Sequence, residues 1–153
     1  EGPTPMDIIA NSIYNIEKTR ITLSDWIFQL RIKGDTKIYQ KKYLFIRDYH
    51  LIWHNRKVNF NINRKLTPKQ LYGYNGFVHL FLIQNASVYK SKKGSGYKFI
   101  ISVYRANPKT KKDTRIYVFK CDTKSKRDNW VNALTKYTQY LSKMISSLQN
   151  THV

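Results

Sequence analysis

From Trp26 to Arg47 apolar and polar residues alternate in step with an extended chain. Trp26, Phe28, Leu30 and Ile32 fall on one side of a strand, and Gln29, Arg31 and Lys33 on the other. Gly34-Asp35-Thr36 breaks the run and reads as a turn. A second run follows, with Lys42, Leu44 and Ile46 on one face and Lys41, Tyr43 and Phe45 on the other. The pattern predicts a β-hairpin whose tip carries Arg31, Lys33, Lys37, Lys41 and Lys42 against a single acid, Asp35. Ile38 and Tyr39 stand between those lysines, where a solvated loop would rather have polar residues. A third strand, residues 50–54, returns after a turn at Arg47-Asp48-Tyr49.

Residues 55–75 do not read as a strand. Pro68 interrupts, Gly73 and Asn75 mark turns, and one helical turn inside a long connection is expected. Four further strand-like runs follow, at residues 77–83, 86–89, 97–104 and 115–120. Strands at about ten-residue spacing with turn signals between them predict an all-β sandwich or barrel. The period then changes. Trp130, Ala133, Leu134, Tyr137, Leu141, Ile145 and Leu148 recur at helical spacing from an N-cap at Thr123, with Asp128 near the first turn. One amphipathic helix of about 25 residues, roughly 37 Å long, is expected to close the open end of the β-structure. Trp130 is its largest apolar anchor. Ahead of the strands, Ile8, Ile9, Ile13 and Ile16 predict a short helical leader within residues 1–21, and the domain proper spans 22–148.

Charge changes the picture most. The 153 residues hold 28 Lys+Arg against 9 Asp+Glu, a formal charge of +19. Such an excess implies a polyanionic partner, a nucleic acid or an anionic membrane. No apolar run approaches the roughly 18 residues of a transmembrane helix, and no signal-peptide pattern opens the chain. The chain begins at Glu1 rather than Met, so N-terminal lipidation is not legible in it. A single cysteine, Cys121, lies in a strand-like run and reads as a small core residue in a cytoplasmic protein.

Three basic groups are expected to rim one open end of the sandwich: the hairpin cations, then Arg56 and Lys57, then Lys109, Lys111 and Lys112. With Ile38 and Tyr39 as membrane-inserting residues, they suit an anionic leaflet, where each Lys or Arg contributes about 1 kcal/mol. Catalysis is not indicated. His50, His54, His79 and His152 show no metal-ligand spacing with Cys or carboxylates, and the acids do not pair. Gly94-Ser95-Gly96 is a turn without the phosphate-loop pattern. No cofactor and no metal are expected. Nucleic-acid binding is the rival reading, since interleaved Tyr and Lys serve phosphate contact and base stacking, but no RNA- or DNA-reading signature is present. A protein-interaction module is the third, and the chain is expected to act as a monomer.

Seven strands closed by a helix with a Trp in its second turn resembles the pleckstrin homology (PH) domain. DWIFQLRIKG resembles the family's first strand, QKKYLFIRDYHLIWH its second and third, and CDTKSKRDNWVNAL its closing helix. The resemblance covers about residues 22–142. It implies a PH-like seven-stranded sandwich and recognition of anionic lipid headgroups. In the family's phosphoinositide signature a basic residue ends strand one and a K/R-x-R pattern starts strand two. Arg31 and Lys33 match the first part; Gln40 and Lys42 depart from the second. Lys is a point charge without the fork of Arg. The departure favours a small phosphomonoester, phosphatidic acid, over a multiply phosphorylated inositol ring, with phosphoinositide as the alternative. The lysine-rich chain with its leader further resembles the acylated PH-domain proteins of apicomplexan parasites. That likeness implies a lipoprotein sensing phosphatidic acid on the cytosolic face of secretory organelles.

Overall fold

The computed structural model describes Gly2, Thr4, Asp7 and residues 23–61, 64–90, 96–104 and 114–151, with side chains of the last helix through Gln139. The expected leader helix, and the lysines at 92, 93, 109, 111 and 112, lie outside the described residues. Seven strands follow one another: β1 (Ser24–Lys33), β2 (Thr36–Arg47), β3 (His50–His54), β4 (Gly76–His79), β5 (Ile83–Tyr89), β6 (Tyr97–Tyr104) and β7 (Thr114–Cys121). They form one antiparallel sheet in the order β4-β3-β2-β1-β7-β6-β5. Among the described residues the two α-helices are α1 (Pro68–Gly73) and α2 (Lys124–Thr151). One 3₁₀ turn, Leu80–Leu82, cuts the predicted 77–83 strand short.

One core draws on both ends of the strand order. Trp53 and Val78 from β3 and β4 meet Phe99 and Val103 from β6, so the sheet folds over on itself. Phe99 and Phe119 stack at 5.3 Å, and Trp53 reaches Phe119 at 6.3 Å. Helix α2 packs across β5, β6, β7 and the 3₁₀ turn, and seats Trp130, Leu134 and Tyr137 in this core. Thr123 caps it as expected, its Oγ1 accepting from Lys126 N at 3.2 Å. The helix runs 28 residues, about 42 Å, longer than the sequence suggested. Trp130 is fully buried, and its Nε1 donates to Asp25 Oδ2 at 3.1 Å, which satisfies the one polar atom of the ring. Cys121 is 1% exposed and lies in the core; burial foremost, with Asp25 and Asp122 nearby, pushes its thiol up to about 12.

The apolar side of β1 does not face this core. Ile27 and Gln29 are the buried residues of the strand, while Phe28 and Ile32 are 36% and 67% exposed. The reason lies in β2, which is apolar on both faces: Tyr43 through Ile46 are all buried. Leu44 and Ile46 enter the main core. Tyr43 and Phe45 enter a second cluster with Ile52 and Leu71, covered by Trp26, Val58, Phe60 and Tyr74. The pairing Trp26↔Tyr43 therefore puts Trp26 and its strand-mates on the outer face. The predicted long connection supplies the cover. Its helical turn, α1, starts with a capping box between Thr67 and Gln70 and has Pro at its first turn. It lays Leu71 onto Phe45 and Ile52. Among the described residues no helix is long and apolar enough to cross a membrane.

Candidate functional site

β1 and β2 are joined by a two-residue turn, Gly34-Asp35, between the paired residues Lys33 and Thr36. Gly34 sits at φ +60°, a conformation that favours glycine. The tip is thus tighter than the sequence suggested. Ile38 and Tyr39 lie within β2, half-buried, opposite Arg31 and Leu30.

Register then divides the five hairpin cations between two faces. Directly opposed residues share a face and successive residues alternate. Ile27↔Lys42, Gln29↔Gln40, Arg31↔Ile38 and Lys33↔Thr36 lie on the inner face, the face of Leu44 and Ile46. Phe28↔Lys41 and Ile32↔Lys37 lie on the outer face. Arg31, Lys33 and Lys42 therefore share the inner face, where Arg31 is near enough to act on Lys42 electrostatically; Lys37 and Lys41 lie on the opposite face.

Lys42 is the centre of the inner group. Its side chain is buried, and Nζ donates to Asn55 Oδ1 at 2.5 Å. Burial, and then the positive charge of Arg31, hold its pKa below the usual lysine value. Neither Lys42 nor Arg31 has a carboxylate partner among the described residues, whose ion pairs, Lys126–Asp122 and Arg127–Asp128, lie at the start of α2 and just before it. Sequence reasoning missed Asn55. The signal for it is the register: Tyr43 pairs with His54, so the next residue, just past the end of β3, comes level with Lys42. Asn55 is itself fixed, its backbone N donating to Asn75 Oδ1 at 2.7 Å. Arg56 and Lys57 follow it, both exposed. Antiparallel order puts the ends of β1, β3 and β6 and the starts of β2, β4 and β7 at one end of the sheet. Tyr104 and Thr114, which pair at that same end, flank residues 105–113, and the expected basic group at Lys109, Lys111 and Lys112 lies outside the described residues.

The outer face uses its cations differently. Lys41 Nζ lies 4.9 Å over the Trp26 ring. Lys120 Nζ lies 4.4 Å over Tyr39 and 5.3 Å over Phe28, and Lys98 Nζ is 5.3 Å from Tyr39. These are cation–π contacts, which hold an ammonium against an aromatic face without an acid. The stem of Lys120 occupies the space that a Cβ on Gly96 would need, at 2.7 Å. Farther along the sheet an apolar cavity of about 410 Å³ is lined by Phe77, Val78, Leu82 and Val103 with His79 and Arg115. No group of three or more His, Cys, Asp or Glu among the described residues is placed to hold a metal ion.

Comparison with protein-family models gives no match, and none of the curated proteins matches. Solved structures do match. The PH domain of human KIAA0053 is 12% identical and aligns over 76% of this chain and 87% of its own at a TM-score of 0.50. The PH domain of Slm1 is 15% identical over 76% and 96%, again at 0.50. The N-terminal PH domain of human ARAP2 is 20% identical over 77% and 79%, at 0.48. The chain has the pleckstrin homology fold.

Proposed function

We propose that this chain is a peripheral membrane-binding module that recognises anionic phospholipid headgroups, phosphatidic acid first and phosphoinositides second. A binding role suits the fold, which positions loops and strand ends around one open end. The reading rests on one observation above the rest. The Lys42 side chain packs down on the inner face with its ammonium held by Asn55 and partly desolvated, Arg31 acts on it from the same face, and no acid pairs with it among the described residues. Burying a charge is costly unless it is paired. An anion seated between Lys42 and Arg31 supplies the missing charge and offsets that cost. Lys33, Arg56 and Lys57 add attraction at the mouth, with Lys109, Lys111 and Lys112 in the loop at the same end. Lys37 and Lys41 act from the outer face as long-range attraction. At about 1 kcal/mol per charge near an anionic leaflet, half of this set supplies roughly the 4 to 8 kcal/mol of a millimolar-to-micromolar site. Insertion is supported most by Ile32, the most exposed apolar residue of the hairpin. Ile38 and Tyr39 would have to leave half-buried positions to join it. The site of action, by the sequence resemblance, is the cytosolic face of a secretory organelle.

Liposome sedimentation tests this reading with phosphatidic acid, phosphatidylserine and phosphoinositides at matched surface charge. Preference for phosphatidic acid is expected. Equal binding to all three would reduce the site to bulk electrostatics. Tight, salt-resistant and sequence-selective binding in a gel shift would replace it with a nucleic-acid role.

A further inference from the structure

Strands β1 and β7 pair only at Phe28↔Lys120 and Gln29↔Phe119. Beyond Gln29 they part, and a cleft of about 310 Å³ opens between them. Arg31 and Ile32 form one lip, Arg115, Ile116 and Tyr117 the other, and Gln29 lies at the base where the strands separate. Gln29 is 1% exposed, yet neither its amide nitrogen nor its carbonyl oxygen has a hydrogen-bond partner among the described residues. Buried side-chain amides are nearly always paired, so one left with both ends free asks what pairs it. The lining offers two guanidinium groups and no acid. Arg115 is steadied by the Tyr117 ring, 5.0 Å from its Cζ. Outside the arginines stand two isoleucines, Ile32 and Ile116, 67% and 60% exposed.

We infer that this cleft is a phosphomonoester subsite, with Gln29 as its specificity-determining residue. The amide nitrogen of Gln29 donates to a phosphate oxygen. Its carbonyl accepts the P–OH proton of a singly protonated monoester, a proton that a phosphodiester lacks. Arg31 and Arg115 close on the phosphate from the two lips with charge-assisted, forked hydrogen bonds. Ile32 and Ile116 meet the apolar layer as the headgroup seats. The inference rests on the membrane reading only for the source of the phosphate, since a lipid headgroup and a free phosphate offer the same groups to the cleft.

The test compares wild type, Gln29→Leu and Arg115→Gln. Vesicles of phosphatidylcholine carry either phosphatidic acid or phosphatidylserine at matched charge, and inorganic phosphate serves as the soluble probe in thermal melts against chloride at equal ionic strength. Wild type should prefer phosphatidic acid, and phosphate should raise its melting temperature. Gln29→Leu should be no less stable than wild type, because it removes an unpaired amide. It should lose about tenfold of the preference for phosphatidic acid, and lose the phosphate-induced shift. Arg115→Gln should act in the same direction. Unchanged preference in a stable Gln29→Leu protein overturns the subsite, as does a wild type indifferent to both monoesters. A Gln29→Leu protein that is markedly destabilised also counts against it, since the amide would then be paired within the fold. If Lys42→Glu loses vesicle binding while Gln29→Leu keeps the preference, the membrane reading stands and the subsite falls. If phosphate protects wild type but not Gln29→Leu, and no vesicle binds, the subsite stands and the membrane reading falls.

Discussion

On the inner face of the first hairpin, which it shares with Arg31, the Lys42 side chain is buried and, among the described residues, its ammonium is held by the Asn55 carbonyl oxygen alone. One residue away, on the outer face, Lys41 is exposed and rests over Trp26. The two lysines are adjacent in the chain and chemically the same. Alternation sends one into a concave surface short of negative charge and the other onto an aromatic platform that already satisfies it. The same contrast runs along the sheet. Inner Arg31 has no partner of opposite charge among the described residues, whereas outer Lys98, Lys120 and Arg47 all lie against rings. Arg47 adds a hydrogen bond to the Tyr74 hydroxyl at 3.2 Å. A count of cations therefore overstates the site, and the side of the strand decides which of them wait for a ligand.

The largest effect expected from the contrast concerns packing. A strand with one dry face and one wet face would lose little from truncation on its outer side. Here Phe45 is outer and fully buried, packed at 5.3 Å against both Phe60 and Tyr74. Phe45→Ala should cost about 3–5 kcal/mol of stability, as for other buried aromatics. Ile32→Ala, on the same face but exposed, should cost almost nothing. Urea unfolding of the two variants checks this. A small loss at Phe45 would mean that the 55–75 connection does not seal the outer face.

Next in size is the division of the basic residues. Lys42→Glu should weaken binding to phosphatidic acid vesicles by about 100-fold, a loss near that of a charge-assisted hydrogen bond with its partner left facing a new negative charge. Lys41→Glu should weaken it only a few-fold, and that small loss should vanish in high salt. Sedimentation at two salt concentrations separates the cases. Equal losses at both positions would erase the distinction between the faces and leave only net charge.

Much of the architecture was legible in the chain. Gly34-Asp35-Thr36 marked the first turn and Thr123 the start of the last helix, and one helical turn was expected within residues 55–75, where Pro68, read as an interruption, turns out to open it behind the Thr67 cap. Local chemistry specifies each of these. Which side of β1 faces inward was not legible, because Phe28 and Ile32 obey the period of a buried face while a neighbouring strand settles the matter. The site divided in the same way. Arg31, Lys33 and Lys42 stood out as cations on a predicted hairpin. Asn55 and Arg115 reach the site through pairing across strands far apart in sequence. Gln29 passed as a polar residue on a polar face, and only three-dimensional packing shows it buried without a partner among the described residues.

The smallest effect tests how the outer face tolerates new charge. His50 lies there, opposite Arg47 and His79, with the His79 ring 4.4 Å away and Phe77 at 5.8 Å. Its Nδ1 donates to the Asp48 carbonyl at 2.6 Å, and Nε2 is buried without a partner among the described residues. Burial above all, with the nearby His79, holds its pKa below the usual histidine value, against the opposing pull of the Asp48 and Arg47 carbonyls and the Asp48 carboxylate. The unfolded chain therefore binds a proton at His50 more readily than the folded one, and stability must rise with pH across the interval between the two pKa values. Stability should hold above about pH 6.5 and decline as the pH falls through the lowered value. His50→Phe should flatten that limb while leaving the neutral-pH plateau within reach of wild type. Urea midpoints between pH 5 and pH 8 read it directly. A decline of equal size in His50→Phe would assign the acid limb to another group and show that the outer face accepts a charge at this position.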